Sequence, residues 1–325
     1  MPPLKEWCVP PEAQPQAADC AFDLDLALAA MTGLRAVVPE DAFTAGILGT
    51  ERAGNGVVIR RDGLVLTIGY LITEAESVWL SLSDGRSVPA HVLAYDQITG
   101  FGLVQALARL DVPALPLGSS AAARVGDPVV VGGAGGRQRS VAARIVAKQE
   151  FAGYWEYLLD EAIFTAPSHP NWGGAGLIDH AGTLIGIGSL QLQQGREGQP
   201  QTDVNMIVPI DLLKPTLNDM MTLGRPNRPP RPWLGIYATE VAGKVVVAGL
   251  AGRGPAQKAD VRIGDVVLAV AGDRVSGLAD FYRRVWSLGE AGVSVPLTIY
   301  RDGRAIEVPV PSTDRGRLLK RPNLQ

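Results

Sequence analysis

Residues 54–67 read GNGVVIRRDGLVLT, two apolar β-branched runs separated by an Asp-Gly pair at 62–63. Such a pair between two apolar runs is typical of a tight hairpin, because Asp and Gly tolerate the positive φ angles that the turn requires. A second Asp-Gly pair, at 84–85, predicts another hairpin of the same kind. Short runs of this type recur between turn residues from about 46 to 210. The segment is therefore predicted to form an all-β barrel or sandwich.

The composition limits the class of protein. The chain has 325 residues, of which 46% are hydrophobic, so it is long enough for two or three domains with buried cores. The 38 glycines and 24 prolines favour many turns and short strands. A formal net charge of −3 gives no basic field, so we expect no nucleic-acid partner. No apolar run reaches the length of a membrane span, and we expect none.

Cysteine and histidine, the usual ligands of structural zinc, are scarce: the chain has 2 cysteines and 3 histidines. Cys8 and Cys20 lie without CxxC spacing or a nearby histidine, so we expect neither a metal site nor a cofactor. The two cysteines are interpreted as free thiols, with a local disulfide as the alternative. The N-terminal residues lack a basic and then an apolar segment, which predicts a cytoplasmic protein, or a periplasmic one if a signal peptide has been removed.

Helices are predicted over residues 21–36 and within 209–223, and the segment 224–232, GRPNRPPRP, is interpreted as a stiff linker. A second β-rich unit follows, with one helix at 278–289. We predict these divisions: an N-terminal arm and helix at 1–44, a β-barrel domain at 45–223, the linker at 224–232, a smaller domain at 233–312, and a frayed tail at 313–325.

Short motifs occur in a fixed order along the predicted barrel domain. They are GNGVVI (54–59), RDGLVLT (61–67), LSDGR (82–86), LPLGSS (115–120) with RVGD (124–127), GTLIGI (182–187) and VPID (208–211). In order and spacing they resemble the HtrA/Deg family. That resemblance implies a mostly-β fold: a chymotrypsin-like double β-barrel followed by a PDZ domain, with a short N-terminal helix. It also implies serine endopeptidase activity.

The positions that match the family's catalytic triad hold other residues. Tyr70 stands in the His position, Gly100 in the Asp position and Gly173 in the Ser position, with Trp172 in the last position if the alignment shifts by one. The three triad members act as one unit, and the loss of one costs on the order of 10⁴–10⁶ in rate. We therefore expect no catalytic residue and a protein that is not an enzyme, a pseudoprotease.

Two alternatives concern the same loops. Ser168 and His169, close to Gly173, could form a rebuilt active site, or His169 could make a structural hydrogen bond. Tyr70 and Trp172 could line a ligand pocket or fill a disused cleft.

The segment RPWLGI, residues 231–236, resembles the carboxylate-binding loop of PDZ domains. Successive backbone N–H groups in such a loop form a nest for the C-terminal carboxylate of a peptide, which adds as a strand beside 235–239. The candidate peptide-binding residues are Arg231, Trp233, Leu234, Gly235, Ile236, Phe281 and Val285. Where the related motif has Gly, this chain has Asp260.

The sequence thus favours a peptide-binding or scaffold protein that captures protein C-termini or unfolded peptides through its PDZ domain. The alternative is a serine endopeptidase of the HtrA/Deg family with a non-standard active site. The resemblance further suggests a homotrimer, and a subunit of a larger complex is a third possibility.

Overall fold

The computed structural model describes residues 7–195 and 201–320. Part of the predicted N-terminal arm (1–6) and the end of the predicted tail (321–325) lie outside the described residues. The strands are β1 Met31–Val37, β2 Glu51–Val58, β3 Leu64–Ile68, β4 Ser77–Ser81, β5 Ser87–Tyr95, β6 Phe101–Ala106, β7 Pro128–Gly132, β8 Ser140–Gly153, β9 Tyr157–Ala166, β10 Gly176–Ile178, β11 Leu184–Gln194, β12 Thr202–Pro209, β13 Ile236–Val241, β14 Lys244–Leu250, β15 Val266–Val270, β16 Asp273–Arg274, β17 Ser294–Arg301 and β18 Arg304–Pro311. The α-helices are α1 Leu24–Leu28, α2 Ala45–Leu48, α3 Leu217–Leu223, α4 Pro255–Lys258 and α5 Leu278–Ser287. Short 3₁₀ helices are Pro11–Ala13, Ala17–Asp19, Gly69–Leu71, Arg137–Arg139, Ile210–Leu212 and Arg315–Arg317.

The predicted all-β fold is confirmed. Strands β1–β6 close into one barrel in the order β1-β2-β3-β6-β5-β4, and β7–β12 close into a second in the order β10-β11-β12-β9-β8-β7. The Asp-Gly pair at 62–63 lies in the turn between β2 and β3, which pair with Val57 opposite Leu66. Gly63 has φ 87° and Gly85, between β4 and β5, has φ 86°, as hairpin glycines require.

The chain forms two compact units. The first contains residues 1–149, 161–227 and 320–325, and with them both barrels. The second contains residues 150–160 and 228–319, so the tip of the β8–β9 hairpin belongs to it.

The second unit is a sheet in the order β13-β14-β15-β17-β18, with β16 paired to β15. One face of α5 packs on this sheet, since Leu278, Phe281, Tyr282 and Val285 are buried with the sheet residues in one core cluster. Leu158, from the hairpin tip, belongs to the same cluster. Strand β13 is an edge strand of the sheet, and its Ala238 N–H donates to the Tyr154 carbonyl of the hairpin tip at 2.9 Å.

Two local predictions are wrong. The helix predicted over 21–36 is limited to Leu24–Leu28, where the Asp23 carboxylate accepts a hydrogen bond from the Leu26 N–H. Residues 31–37 instead form β1, which pairs with β2 on one side and β4 on the other. The predicted frayed tail is ordered over 313–320, because Thr313 exchanges backbone hydrogen bonds with Trp233.

Candidate functional site

Three turns of the barrel unit carry the residues that were predicted from the sequence to stand in the family's triad positions. Tyr70 lies in the 3₁₀ helix after β3, Gly100 in the turn before β6, and Gly173 in the loop before β10. The structure brings the first two turns together, because the Gly69 N–H donates to the Gly100 carbonyl at 2.6 Å. Gly100 has φ 85°, the left-handed conformation that glycine adopts without strain.

Tyr70 and Gly173 are direct neighbours. A Cβ placed on Gly173 would lie 2.7 Å from the Tyr70 hydroxyl oxygen. The hydroxyl donates to the Ser189 carbonyl of β11 at 2.9 Å. Burial raises the pKa of Tyr70, opposed in part by a hydrogen bond with the Trp172 side chain. Tyr70 is therefore a neutral donor that occupies the space beside Gly173.

The loop that carries Gly173 is fixed by Asn55 of β2. The Asn55 N–H donates to the Gly173 carbonyl at 2.7 Å, and its side-chain amide donates to the Asn171 carbonyl at 2.8 Å. Its side-chain oxygen accepts from the Ala134 N–H at 2.9 Å. Gly174 has φ 76° and a Cβ there would lie 1.9 Å from the Asn55 carbonyl, so this position requires glycine.

His169 is fully buried and both ring nitrogens are engaged. Nε2 lies 2.8 Å from the Arg139 carbonyl, and Nδ1 accepts from the Asn171 N–H at 3.0 Å. Burial lowers the pKa of His169, so the neutral ring is favoured. With Nδ1 accepting and Nε2 donating, neither nitrogen is free to take a proton from Ser168. This geometry fits a histidine that makes structural hydrogen bonds.

In the second unit, the N–H groups of Leu234, Gly235 and Ile236, which form the predicted carboxylate nest, converge on one side chain. Gly235 has φ 76°, which lets successive N–H groups point to one side. All three donate to the side-chain carboxylate of Glu156, at the tip of the β8–β9 hairpin. The Gly235 and Ile236 distances to Oε1 are 2.7 and 3.0 Å, and Leu234 lies 3.1 Å from both oxygens.

The other predicted peptide-binding residues have different surroundings. The Arg231 guanidinium lies 4.2 Å from the centre of the Trp286 ring, and Trp233 is buried. Phe281 and Val285 are each 1% exposed and lie in the core cluster of the unit. Their assignment to the peptide groove stays a prediction.

Glu156 was missed by sequence reasoning. Its only local signal is an acidic residue among aromatic ones in the segment FAGYWEY, residues 151–157, between two strands. Asp260, noted as a departure from Gly, has φ 61° and so adopts the conformation that Gly would favour.

Among residues 7–195 and 201–320, no His, Cys, Asp and Glu side chains cluster in a way that could hold a metal ion. In the same part of the chain, no helix is long and apolar enough to cross a membrane. Cys8 and Cys20 are free thiols.

Comparison with known proteins supports both domains. Residues 54–187 match the trypsin-like peptidase domain family and residues 232–311 match the PDZ domain family. A probable periplasmic serine endoprotease, DegP-like, of Pseudomonas fluorescens is 29% identical over 78% of this chain and 54% of its own length. The serine endoprotease DegS of Haemophilus influenzae is 25% identical over 81% of this chain and 77% of its own length. The chain is thus similar to serine endoproteases of the DegP-like and DegS types.

Solved structures of HtrA/Deg proteins share the fold. The HtrA-type protease AlgW with tripeptide aligns with a TM-score of 0.53 at 21% identity, over 95% of this chain and 98% of that one. A serine endoprotease from Yersinia pestis aligns with a TM-score of 0.52 at 20% identity, over 90% and 98% of the two chains. At these identities the likeness establishes the fold alone. The chain spans about half the length of the DegP-like relatives and about three quarters of DegS.

Two expectations from the sequence are corrected by these relatives. The expectation that the chain is not an enzyme is contradicted, because the HtrA/Deg relatives that it matches are named serine endoproteases. The expectation of a cytoplasmic protein is not supported, because the DegP-like and DegQ relatives are named periplasmic.

Proposed function

We propose that this chain acts on polypeptides and that its PDZ domain recognises the free C-terminal carboxylate of a peptide. The observation that supports this function is the convergence of the Leu234, Gly235 and Ile236 N–H groups on one carboxylate, at 2.7 to 3.1 Å. Hydrogen bonds to an ionised acceptor are roughly twice as strong as neutral ones, so a site with three such donors selects anions. A peptide bound there could continue as a strand along the edge of β13.

The test is a titration of the full chain with labelled peptides by fluorescence polarisation, up to millimolar concentration. A peptide with a free C-terminus should bind, and the same peptide with an amidated C-terminus should bind at least about tenfold more weakly. Gly235→Ala should weaken binding too, because Gly235 has φ 76° and its added Cβ would lie 3.0 Å from the Trp233 ring. Equal binding of the acid and the amide would exclude this function.

Serine endopeptidase activity with a non-standard active site is the second candidate function, and the names of the relatives favour it. We assign Tyr70, Gly100 and Gly173 to the His, Asp and Ser positions of the family. Hydrolysis by this chain therefore has to use other groups. Ser168 is the candidate hydroxyl in the loop that leads to Gly173, and a group other than its neighbour His169 would have to act as its base.

An assay on unfolded casein, combined with labelling by a fluorophosphonate probe, tests this candidate. Turnover and labelling that are lost in Ser168→Ala would identify the nucleophile. Ser83→Ala, in the turn between β4 and β5, is the matched control and should leave both signals unchanged. A purified chain that neither cleaves casein nor reacts with the probe would exclude the second candidate.

A further inference from the structure

The carboxylate nest of the second unit already has an occupant. Glu156 accepts from all three N–H groups of the nest, and its Oε1 is shared by Leu234, Gly235 and Ile236. Arg315 adds a favourable positive charge near this carboxylate. A second carboxylate cannot take the same donors at the same time, because each N–H group offers one hydrogen.

The hairpin that carries Glu156 also takes the place of a peptide backbone. The Ala238 N–H of edge strand β13 donates to the Tyr154 carbonyl at 2.9 Å. Tyr154 lies two residues before Glu156, so the hairpin presents a strand-like carbonyl and then a carboxylate, as the end of a bound peptide would.

Further contacts hold the hairpin tip against α5. The Tyr282 hydroxyl donates to the Gly153 carbonyl at 2.8 Å and lies 3.3 Å from the Glu156 N–H. At the base of the tip, the Arg283 guanidinium lies 2.5 Å from carboxylate oxygens of both Glu150 and Asp160. Glu156 itself has φ 60°, a conformation that non-glycine residues rarely adopt and that the surrounding contacts maintain.

We propose that Glu156 is an internal ligand of the PDZ domain, and that an external peptide C-terminus binds only when it displaces the hairpin of residues 150–160. This inference rests on the proposed function and deepens it, because it names what controls access to the peptide site. A tethered ligand acts at an effective concentration in the millimolar range, and the apparent affinity of a competitor falls in proportion to the fraction of free sites. The partner that succeeds is a polypeptide that offers a C-terminal carboxylate and an extended backbone together.

The first test measures occupancy without any peptide. Native-state hydrogen exchange is followed at the amides of residues 234–236 in the full chain and in two variants. Glu156→Gly removes the carboxylate and suits the positive φ, while Glu307→Gln, the control, changes an exposed carboxylate on β18 of the same unit. Exchange at 234–236 should become about tenfold or more faster in Glu156→Gly and stay unchanged in Glu307→Gln. Equal protection of the 234–236 amides in all three proteins would overturn the claim that Glu156 occupies the nest.

The second test measures displacement. Free-acid peptides should bind Glu156→Gly about tenfold or more tightly than the unmodified chain, and Glu307→Gln should bind like the unmodified chain. Glu156→Gln keeps the shape of the side chain and carries no charge at any pH, so its peptide affinity should not change with pH. If Glu156→Gly frees the nest but peptides bind it no better, the displacement is wrong while the proposed function stands. If no variant with a free nest binds any peptide, the proposed function fails, whereas the exchange result still decides the occupancy.

Discussion

The contact between Tyr70 and Gly173 is one that a single methyl group would disturb. The Cβ of Gly173→Ala would lie 2.7 Å from the Tyr70 hydroxyl, which is held by its bond to the Ser189 carbonyl. We expect the free energy of unfolding of the barrel unit to fall by about 1–3 kcal/mol, as for other overpacked sites. Tyr70→Phe alone should cost about 1 kcal/mol, from the lost hydrogen bond. Urea denaturation of both single variants and the double variant measures these effects.

The double variant decides whether the contact between Tyr70 and the added Cβ causes the loss in the free energy of unfolding. Tyr70→Phe removes the clashing oxygen, and the next nearest Tyr70 atom lies at an ordinary 3.6 Å from the added Cβ. Gly173→Ala should therefore cost less in the Tyr70→Phe background than alone. Gly46→Ala is the matched control, because its Cβ would meet nothing within 4 Å. Strictly additive effects of the two substitutions would rule out the coupling.

The pH should control how tightly the hairpin of residues 150–160 docks on the nest, through protonation of Glu156. Burial raises the pKa of Glu156 to about 7 from its ordinary value of 4.5, against the opposing effects of the N–H groups of 234–236 and the charge of Arg315. The phenols of Tyr237 and Tyr282 also face it; burial raises the pKa of both phenols, and the charge of Glu156 adds to that rise. The docked hairpin thus holds its proton more tightly than the released one. This contribution to docking is complete below the ordinary pKa and is lost as the pH rises through about 7.

Peptide affinity measured by fluorescence polarisation should accordingly rise between about pH 5 and pH 8, because the competing hairpin becomes weaker. The peptide should carry no titratable side chain, so that its C-terminal carboxylate stays ionised throughout the range. Glu156→Gly serves as the reference and should show no such rise. An affinity that falls with pH in the unmodified chain would contradict this sign.

At the scale of elements, the segment between α4 and β15 depends on one buried ion pair. The Asp265 side chain is 1% exposed and lies 2.6 Å from the Arg301 guanidinium of β17. It also accepts from the Arg262 N–H at 2.7 Å. Asp265→Ala would remove this partner and leave the Arg301 guanidinium with the more exposed Asp260, at 3.2 Å. We expect the second unit to lose about 2–3 kcal/mol of its free energy of unfolding, as for hydrogen bonds to charged groups.

The comparison for Asp265→Ala is Asp273→Ala, since Asp273 pairs with Arg284 at the surface and its side chain is 77% exposed. Surface ion pairs contribute little, so this variant should unfold like the unmodified chain. Thermal denaturation of both variants provides the measurement. Similar losses in the two would show that burial of the Asp265 pair is not what matters.

Elements with local signals were predictable, and those set by distant pairing were not. The Asp-Gly pair at 62–63 fixes its own turn, and helix α5 carries its apolar residues at helical spacing. Residues 31–36 contain helix-forming Met, Leu and Ala, yet they form β1 because β2 and β4 supply backbone partners on both sides. Those partners lie far along the chain, so no local pattern could reveal the strand.

The candidate site also has one part that a local sequence signal predicts and one part that depends on distant pairing. The nest at 234–236 was predictable, because a tight loop with glycine converges its own N–H groups. Its occupant was not, since Glu156 lies about 80 residues earlier and reaches the nest only when the β8–β9 hairpin has formed. A residue on a hairpin tip belongs to no periodic sequence pattern, so its distant contact cannot be predicted from the sequence around it.

For the molecule as a whole, the division into two units predicts which residues unfold together. The hairpin tip at 150–160 belongs with 228–319, although the chain on both sides of it belongs with the barrels. Segments that pack together lose protection together in partial unfolding. In hydrogen exchange at increasing urea concentration, residues 150–160 should lose protection with α5 and β13, whereas residues 137–149 should follow the barrels. Loss of protection of 150–160 together with 137–149, at one urea concentration, would mean that the tip belongs energetically to its own barrel.

The side chain of Leu158 contributes to the core of the second unit, although Leu158 lies on the hairpin tip. Leu158→Ala should therefore lower the urea midpoint at which that unit loses its protection. The urea midpoint of the barrel strands β1–β6 should stay unchanged.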